Sequence, residues 1–536
     1  MKKQGRNELC QCGSGKKFKH CHGLLVSESK FVFEANKLLK EATNRDRVLE
    51  HQMTKQQGLG RKIISTNAHG TRFVAVKNKL YYSKEWNTFS DFLGHYIKDK
   101  IGGDWGTNEI RNKPDDKRHQ ILVWYQKLCL LQKAHCKVEG EIFSTPLTGA
   151  VKAYNGLAYD LYCLDHNVEL QQTLIDRLKN SDQNFYGVRY EIAVAAMMVR
   201  GGFTIEFEDE SNRDTTHCEF SAKSKLTGKS FSVECKHLES SGKDNIVTLK
   251  NLGKRLAGAL SKEAKYTRIV FIDLNFPYDP KIHQDFPTAM DLAKNRIREL
   301  EGNTANGGKL PPAYVFLTNN PCHHHLDDVS IGFALLTDGF KIPEFKADIP
   351  RSIHDAIDIR ERHSDLHHLM ESIAKYSEVP TTFDGEIPEF SLNPELQKNR
   401  LLFGERYVVP DSNGHERTGV LEDGVVNQNN KSALCALCLD DGERVLINFD
   451  LSDDELKAYQ SHPDTFFGAV KPISKNTSSP LDLYDFFFNG FKDTSKEILL
   501  SHFTNALNID ELKRLPQEQL ARLYAEHCTN FALSQK

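Results

Sequence analysis

The sequence predicts a multidomain α/β protein. Between about 181 and 345, short runs rich in Val, Ile and Phe alternate with stretches of helical period, which is the pattern of a mixed sheet covered by helices. From 401 to about 470 the helical period gives way to short strands around an Asp441-Gly442 turn, the mark of a separate small β domain. At 536 residues the chain exceeds what one core organises, and roughly three or four domains are expected.

Composition narrows the class. Hydrophobic content of 39% and charged content of 27% are ordinary for a globular protein. A net charge of -3 gives no global attraction to nucleic acid, so any such attraction must come from local basic patches. The longest clean apolar run, Ile192 to Val199, is far short of the roughly 18 residues a membrane helix needs. The N-terminus is basic but has no apolar stretch of the signal-peptide kind. A cytoplasmic protein without membrane contact is expected. Twelve cysteines in so long a chain do not make a disulfide framework.

Three of those cysteines cluster in residues 5–23, GRNELCQCGSGKKFKHCHG. Cys10, Cys12, Cys21 and His22 supply three thiolates and an imidazole, a donor set for a closed tetrahedral zinc site. Gly13, Ser14 and Gly15 allow a tight turn between the ligand pairs. A segment this small cannot fold on its own apolar surface, so bound Zn2+ would supply its folding energy. The stretch resembles the SEC-C motif, the zinc-binding tail of the protein-export motor SecA. In that motor the tail contacts an export chaperone and the ribosome. The motif also occurs in unrelated proteins, so the resemblance implies zinc and an interaction surface, not export. Lys16, Lys17 and Lys19 make the surface basic, suited to RNA, the ribosome, other nucleic acid or an acidic protein partner.

After this knuckle (1–23), residues 24–180 read as a mostly helical, aromatic-rich accessory domain. A helix over 28–60 would pack through Phe31, Phe33, Leu38, Leu39 and Val48. Trp86, Phe89, Phe92, Tyr96 and Trp105 are expected in a core rather than on a stacking platform. Helices follow around Ile121 to Tyr125 and Leu170 to Leu178.

The α/β domain (181–345) is expected as helix 184–200, strands 203–207, 218–224 and 229–236, helix 246–264, strand 268–274, a helix at about 284–301 and a strand at Ala313 to Leu317. Pro380, Pro388 and Pro394 suggest a linker over 346–398. The small β domain (399–475) and a helical tail (476–536) complete the chain.

The chemistry concentrates between 182 and 236. Strand alternation sends Phe231, Val233 and Cys235 to one face and Ser232, Glu234 and Lys236 to the other. A four-residue loop, Lys225 to Gly228, would pair Ser224 with Lys229 and set Glu219 opposite Glu234. Facing acids are costly unless a cation lies between them. Glu191 enters a helix that is apolar on all sides and needs a partner of its own. Glu219, Glu234 and the Cys235 carbonyl would hold Mg2+ or Mn2+. Lys236 would orient the attacking water, and Glu191 would bind the metal through water or hold Lys236.

This constellation resembles the PD-(D/E)XK nuclease superfamily over about residues 184–274. Val233-Glu234-Cys235-Lys236 matches its hydrophobic-(D/E)-x-K element. Cys218-Glu219-Phe220 stands where its Pro-Asp-hydrophobic element sits, with Glu219 in place of the usual aspartate and Asp214 as the alternative acid. The resemblance implies a restriction-endonuclease-like αβββαβ core and a Mg2+-dependent endonuclease acting on DNA first, serving defence or repair, with a homodimer as one form. The competing reading is a non-catalytic adaptor that binds nucleic acid, the ribosome or a chaperone through the zinc knuckle.

Weaker signals remain. Cys322-His323-His324-His325 reads as an exposed loop near strand ends, with contact to a substrate as the alternative. Cys435 and Cys438 have C-x-x-C spacing but lie in an apolar strand, and are expected in a core. His237 extends the Glu-x-Lys strand and could contact phosphate. Lys250, Lys254, Arg255, Lys262 and Lys265 would either track a phosphate backbone or form a solvated helix face. His462 to Gly468 is distinctive without a chemistry attached.

Overall fold

The computed structural model describes residues 7–9, 11–18, 42–138, 140–180, 185–208, 218–239, 245–277, 286–301, 304–305, 308–329, 333–346, 351–410, 414–471, 479–503 and 509–534. The fold is mixed α/β, and the chain divides into two compact units, 56–380 with 474–536 and 1–55 with 381–473. Among the described residues no helix is long and apolar enough to cross a membrane.

The larger unit is built on a six-stranded mixed sheet. In chain order its elements are α1 (Phe185–Arg200), β1 (Phe203–Phe207), β2 (Phe220–Ser224), β3 (Ser230–His237), α2 (Asn245–Leu260), β4 (Thr267–Asp273), α3 (Phe286–Glu299), β5 (Ala313–Asn319) and β6 (Ala334–Phe340). The spatial order is β6-β5-β4-β3-β2-β1. Strands β1, β2 and β3 form an antiparallel meander. Strands β4 and β5 join parallel through the α2 and α3 crossovers, and β6 returns antiparallel on the far edge. The expected helix, three strands, helix, strand order is present. Sequence reading placed no strand at β6, whose Ala334-Leu335-Leu336-Thr337-Asp338-Gly339-Phe340 mixes strand formers with turn formers.

Helix α1 ends where Gly202 takes φ 83°, the left-handed conformation that glycine adopts without a Cβ penalty at a helix end. The chain then turns directly into β1. Helices α2 and α3 cover one face of the sheet, burying Leu252, Leu256, Ala293 and Ile297 against Val270, Ile272, Val315 and Leu317. Helix α1 lies on the other face, and the Tyr190 hydroxyl meets Thr318 Oγ1 at 2.7 Å.

Ahead of this layer, Ile64–Ala68, Thr71–Val76 and Lys79–Ser83 form a three-stranded antiparallel sheet. Sequence reading found no strands here. Helices Phe89–Ile101, Gln120–His135, Gly149–Asn167 and Gln172–Lys179 follow. Trp86, Phe89, Phe92 and Tyr96 are buried as expected, while Trp105 is only half-buried, and the Trp86 and Phe92 rings meet edge to face at 5.2 Å. Within 346–398, helices Ile353–Arg362 and Ser364–Lys375 bury Ile353, Ile357, Leu366, Leu369 and Ile373. Ile353 and Ile357 share a cluster with Tyr484 and Ala525 of the C-terminal helices Pro480–Phe491 and Gln517–Ser534.

The smaller unit carries a four-stranded antiparallel sheet of Arg406–Pro410, Glu416–Asn427, Ser432–Leu439 and Arg444–Asp450. Gly442 turns the last hairpin at φ 88°, and Cys435 is fully buried in its core. The 462–468 segment has a structural task. Asp464 accepts from His51 Nε2 at 2.7 Å and from Lys55 Nζ at 2.9 Å, while Phe466 and Phe467 enter the core. It thereby ties down the helix over 42–57, in which Val48 is buried as expected. Phe31, Phe33, Leu38 and Leu39 lie outside the described residues.

Candidate active site

The β2–β3 hairpin has the register read from its loop. Ser224 N–H donates to Lys229 O at 2.8 Å, and Phe220 pairs with Val233. Glu219 precedes β2 and donates its N–H to Val233 O at 3.0 Å, and its carboxylate meets that of Glu234 at the Lys262 ammonium.

The face of the sheet that carries the pair, polar by strand alternation, is covered rather than open. Glu234 and Lys236 lie beside Val270 and Ile272 of β4, on the face that α2 and α3 cover. Glu234 is accordingly 1% exposed. Its Oε1 receives the Lys236 ammonium and, at 2.9 Å, that of Lys262. Lys262 also reaches Glu219 Oε1 at 3.3 Å. Burial, with the Glu219 charge adding, raises the Glu234 carboxyl above its usual value. Burial alone would lower Lys262, but the fields of Glu219 and Glu234 outweigh it and hold this ammonium above its ordinary value.

Glu191 is 4% exposed and accepts from Arg177 Nη2 of the Gln172–Lys179 helix at 2.8 Å. A guanidinium from a neighbouring helix supplies the partner that its apolar helix demanded. Because α1 packs on the Cys235 face, Glu191 approaches β3 from the side opposite Glu234 and Lys236. Burial, with Glu219, Glu191 and Glu234 adding, pushes the Cys235 thiol well above its usual value. Glu191, Glu219, Cys235 and Lys236 line one cleft of about 900 Å³. Among the described residues, no three His, Cys, Asp or Glu side chains are spaced to hold a metal ion. Asp214 lies outside the described residues.

The cationic side chains of the cleft are Arg118, Arg177, Lys236 and Arg255, and His119, His237, His323 and His324 also line it, each with its imidazole lowered by burial. The basic residues on and after α2 separate into different roles. Arg255 lines the cleft 3.5 Å from Glu239, Lys262 bridges the acid pair, and Lys254 and Lys265 face solvent. The side chain of Lys250 lies outside the described residues.

The 322–325 loop is a wall of the cleft, not an open surface loop as expected. Gly149 N–H donates to Asp328 O at 3.0 Å and Ala150 N–H to Leu326 O at 3.1 Å, which seats the loop on a helix N-terminus. Asn275 Oδ1 accepts from both His323 Nε2 and His324 Nε2 at 2.7 Å. The His237 ring stacks on Tyr186 at 5.7 Å, and its Nε2 lies 3.5 Å from Asp273 Oδ2. Burial, with His324 and Arg255 nearby, pushes His237 down to about 4. Burial raises Asp273 to about 7 against hydrogen bonds from Thr318 and the N–H groups of Asn320 and Asn275.

Sequence reasoning did not assign Arg177, Arg118, His119 or Asn275 to this site. They come from separate helices and loops and carry no local pattern. Lys262 was visible only as one of several basic residues.

At the N-terminus, Leu9 and Lys17 form an antiparallel bridge and Phe18 N–H donates to Glu8 O at 2.7 Å. Gly13 and Gly15 take φ 77° and 66° in the turn between. Cys12 is exposed, while Cys10, Cys21 and His22 lie outside the described residues. The SEC-C motif is matched at residues 6–24. Here the chain is 90% identical over 21 residues to protein translocase subunit SecA of Pseudomonas fluorescens. It is 86% identical over 22 residues to that of Albidiferax ferrireducens and 78% over 23 to that of Chromohalobacter salexigens. Each match covers 4% of this chain, which spans 2% of the length of these curated relatives. The likeness to SecA is confined to this motif. No solved structure matches the chain.

Proposed function

We propose that this protein is a divalent-metal-dependent nuclease of the PD-(D/E)XK kind, with DNA as its first substrate. The observation that carries the reading is the Glu219–Glu234 pair, bridged by Lys262, in which Glu219 lines a cleft with Arg118, Arg177, Lys236 and Arg255 and the buried Glu234 holds Lys236. Glu234 Oε2 is buried without a hydrogen-bond partner, and a buried anionic oxygen left so is costly unless a cation meets it. Two carboxylates and the Cys235 carbonyl are hard oxygen donors of the type Mg2+ or Mn2+ takes.

Glu219, Glu234 and the Cys235 carbonyl would hold the metal. When bound, it lowers the pKa of a water and offsets charge on the phosphate. Lys236, tethered to Glu234, would orient the attacking water and donate to a phosphate oxygen. Arg177 would hold Glu191 in place. Arg118 and Arg255 would draw the phosphodiester chain into the cleft. In the SEC-C segment, Cys10, Cys12, Cys21 and His22 would hold Zn2+ and present a basic surface to a protein, ribosomal or nucleic-acid partner.

The test is purified protein with duplex DNA, single-stranded DNA and RNA, each with Mg2+, Mn2+ or EDTA. Metal-dependent cutting abolished by Glu234→Ala and Lys236→Ala supports the reading. Cutting that survives both substitutions defeats the site. No cutting under any metal, with nucleic acid still bound, leaves the adaptor.

A further inference from the structure

Facing carboxylates repel unless a cation separates them. Here the separating cation is internal. Lys262 Nζ lies 2.9 Å from Glu234 Oε1 and 3.3 Å from Glu219 Oε1, reaching in from the turn beyond α2. Its side chain is 25% exposed and that of Glu219 is 21% exposed, so the ammonium is not sealed in. Lys236 differs: it is rooted in β3 two positions from its partner and touches only Glu234 of the pair. A divalent ion taken up between the acids, whether on the unpartnered Glu234 Oε2 or on the Oε1 atoms, would lie close beside this ammonium and repel it. We propose that Lys262 is the resident counter-ion of the Glu219–Glu234 pair and that a divalent cation binds by displacing its ammonium. The inference rests on the metal reading of this site. Lys262 is then a positioning residue. It keeps the two acids apart without metal and sets how tightly metal binds.

The experiment is a calorimetric titration of the full chain with Mn2+, comparing wild type, Lys262→Met and Lys262→Arg. Removing the competing charge is expected to tighten Mn2+ binding by about tenfold or more, while Lys262→Arg, which keeps it, does not tighten binding. A second measurement needs no variant. Acylation of the Lys262 amine in wild type, followed by mass spectrometry, should be slow without metal and faster with saturating Mn2+. Equal or weaker Mn2+ binding in Lys262→Met, or acylation that slows with Mn2+, overturns the counter-ion role and leaves the metal site standing. Absence of Mn2+ uptake by both wild type and Lys262→Met overturns the metal site and this inference together.

Discussion

Lys262 and Glu234 meet at 2.9 Å, although one stands beyond the end of α2 and the other in the middle of β3. The contact places a partly exposed ammonium against a carboxylate that is 1% exposed. Breaking a buried pair by removing one member costs about 3–5 kcal/mol, and the partial exposure of Lys262 lowers the expectation to about 1–3 kcal/mol for Lys262→Met. In EDTA, urea unfolding of Lys262→Met, Glu234→Gln and the double variant should give a coupling of about 1 kcal/mol or more. Additive costs would mean that the pair does not interact in solution.

Asp273 gives a pH prediction. Its carboxyl is raised from 3.8 to about 7 in the folded chain, so between those values the folded state binds more protons than the unfolded state. This group's contribution to stability therefore falls as pH rises through that window. His237, lowered to about 4, acts in the opposite sense over part of the range, so the variant must be compared with wild type. Asp273→Asn should gain on wild type between pH 4 and pH 8 by up to about 4 kcal/mol. Parallel stability–pH profiles would refute the buried carboxyl.

Much of the central layer was legible in the sequence. Runs such as Arg268-Ile269-Val270-Phe271-Ile272 have one structural reading, and the Ser224–Lys229 loop length gave the pairing of β2 with β3. The facing of Glu234 was harder. Alternation assigned it to a polar face, but α2 covers that face, and which helix covers a strand is a tertiary fact. The Ile64–Ser83 meander was missed because its first strand, Ile64–Ala68, is exposed or half-buried and lacks an apolar alternation, although Val74, Val76 and Tyr81 of the next two strands are buried. The 322–325 loop read as exposed because its seat, Gly149, is distant in sequence.

That seat is testable. A Cβ on Gly149 would lie 2.2 Å from both Cys322 O and His325 O. Replacing glycine by alanine in a helix ordinarily stabilises by up to about 1 kcal/mol. Gly149→Ala should instead destabilise by about 1–3 kcal/mol and disturb the imidazole resonances of His323 and His324 in NMR spectra. A stabilised variant with unchanged resonances would contradict the docking of this loop.

The SEC-C segment makes a metal prediction independent of the cleft. Purified protein should carry about one zinc per chain by elemental analysis, as expected of a closed four-ligand site. Cys12→Ser should lose most of it, and mild chelation should leave the unfolding of the larger unit unchanged. Zinc content unaffected by Cys12→Ser would remove Cys12 from the ligand set.

The most direct test of the central claim is a crystal of the protein soaked in Mn2+ and measured at a wavelength where manganese scatters anomalously. The account predicts one strong anomalous peak within coordinating distance of Glu219 and Glu234, with the Lys262 ammonium moved away from both. A map with no peak there, and Lys262 still bridging the two carboxylates at saturating Mn2+, would contradict it.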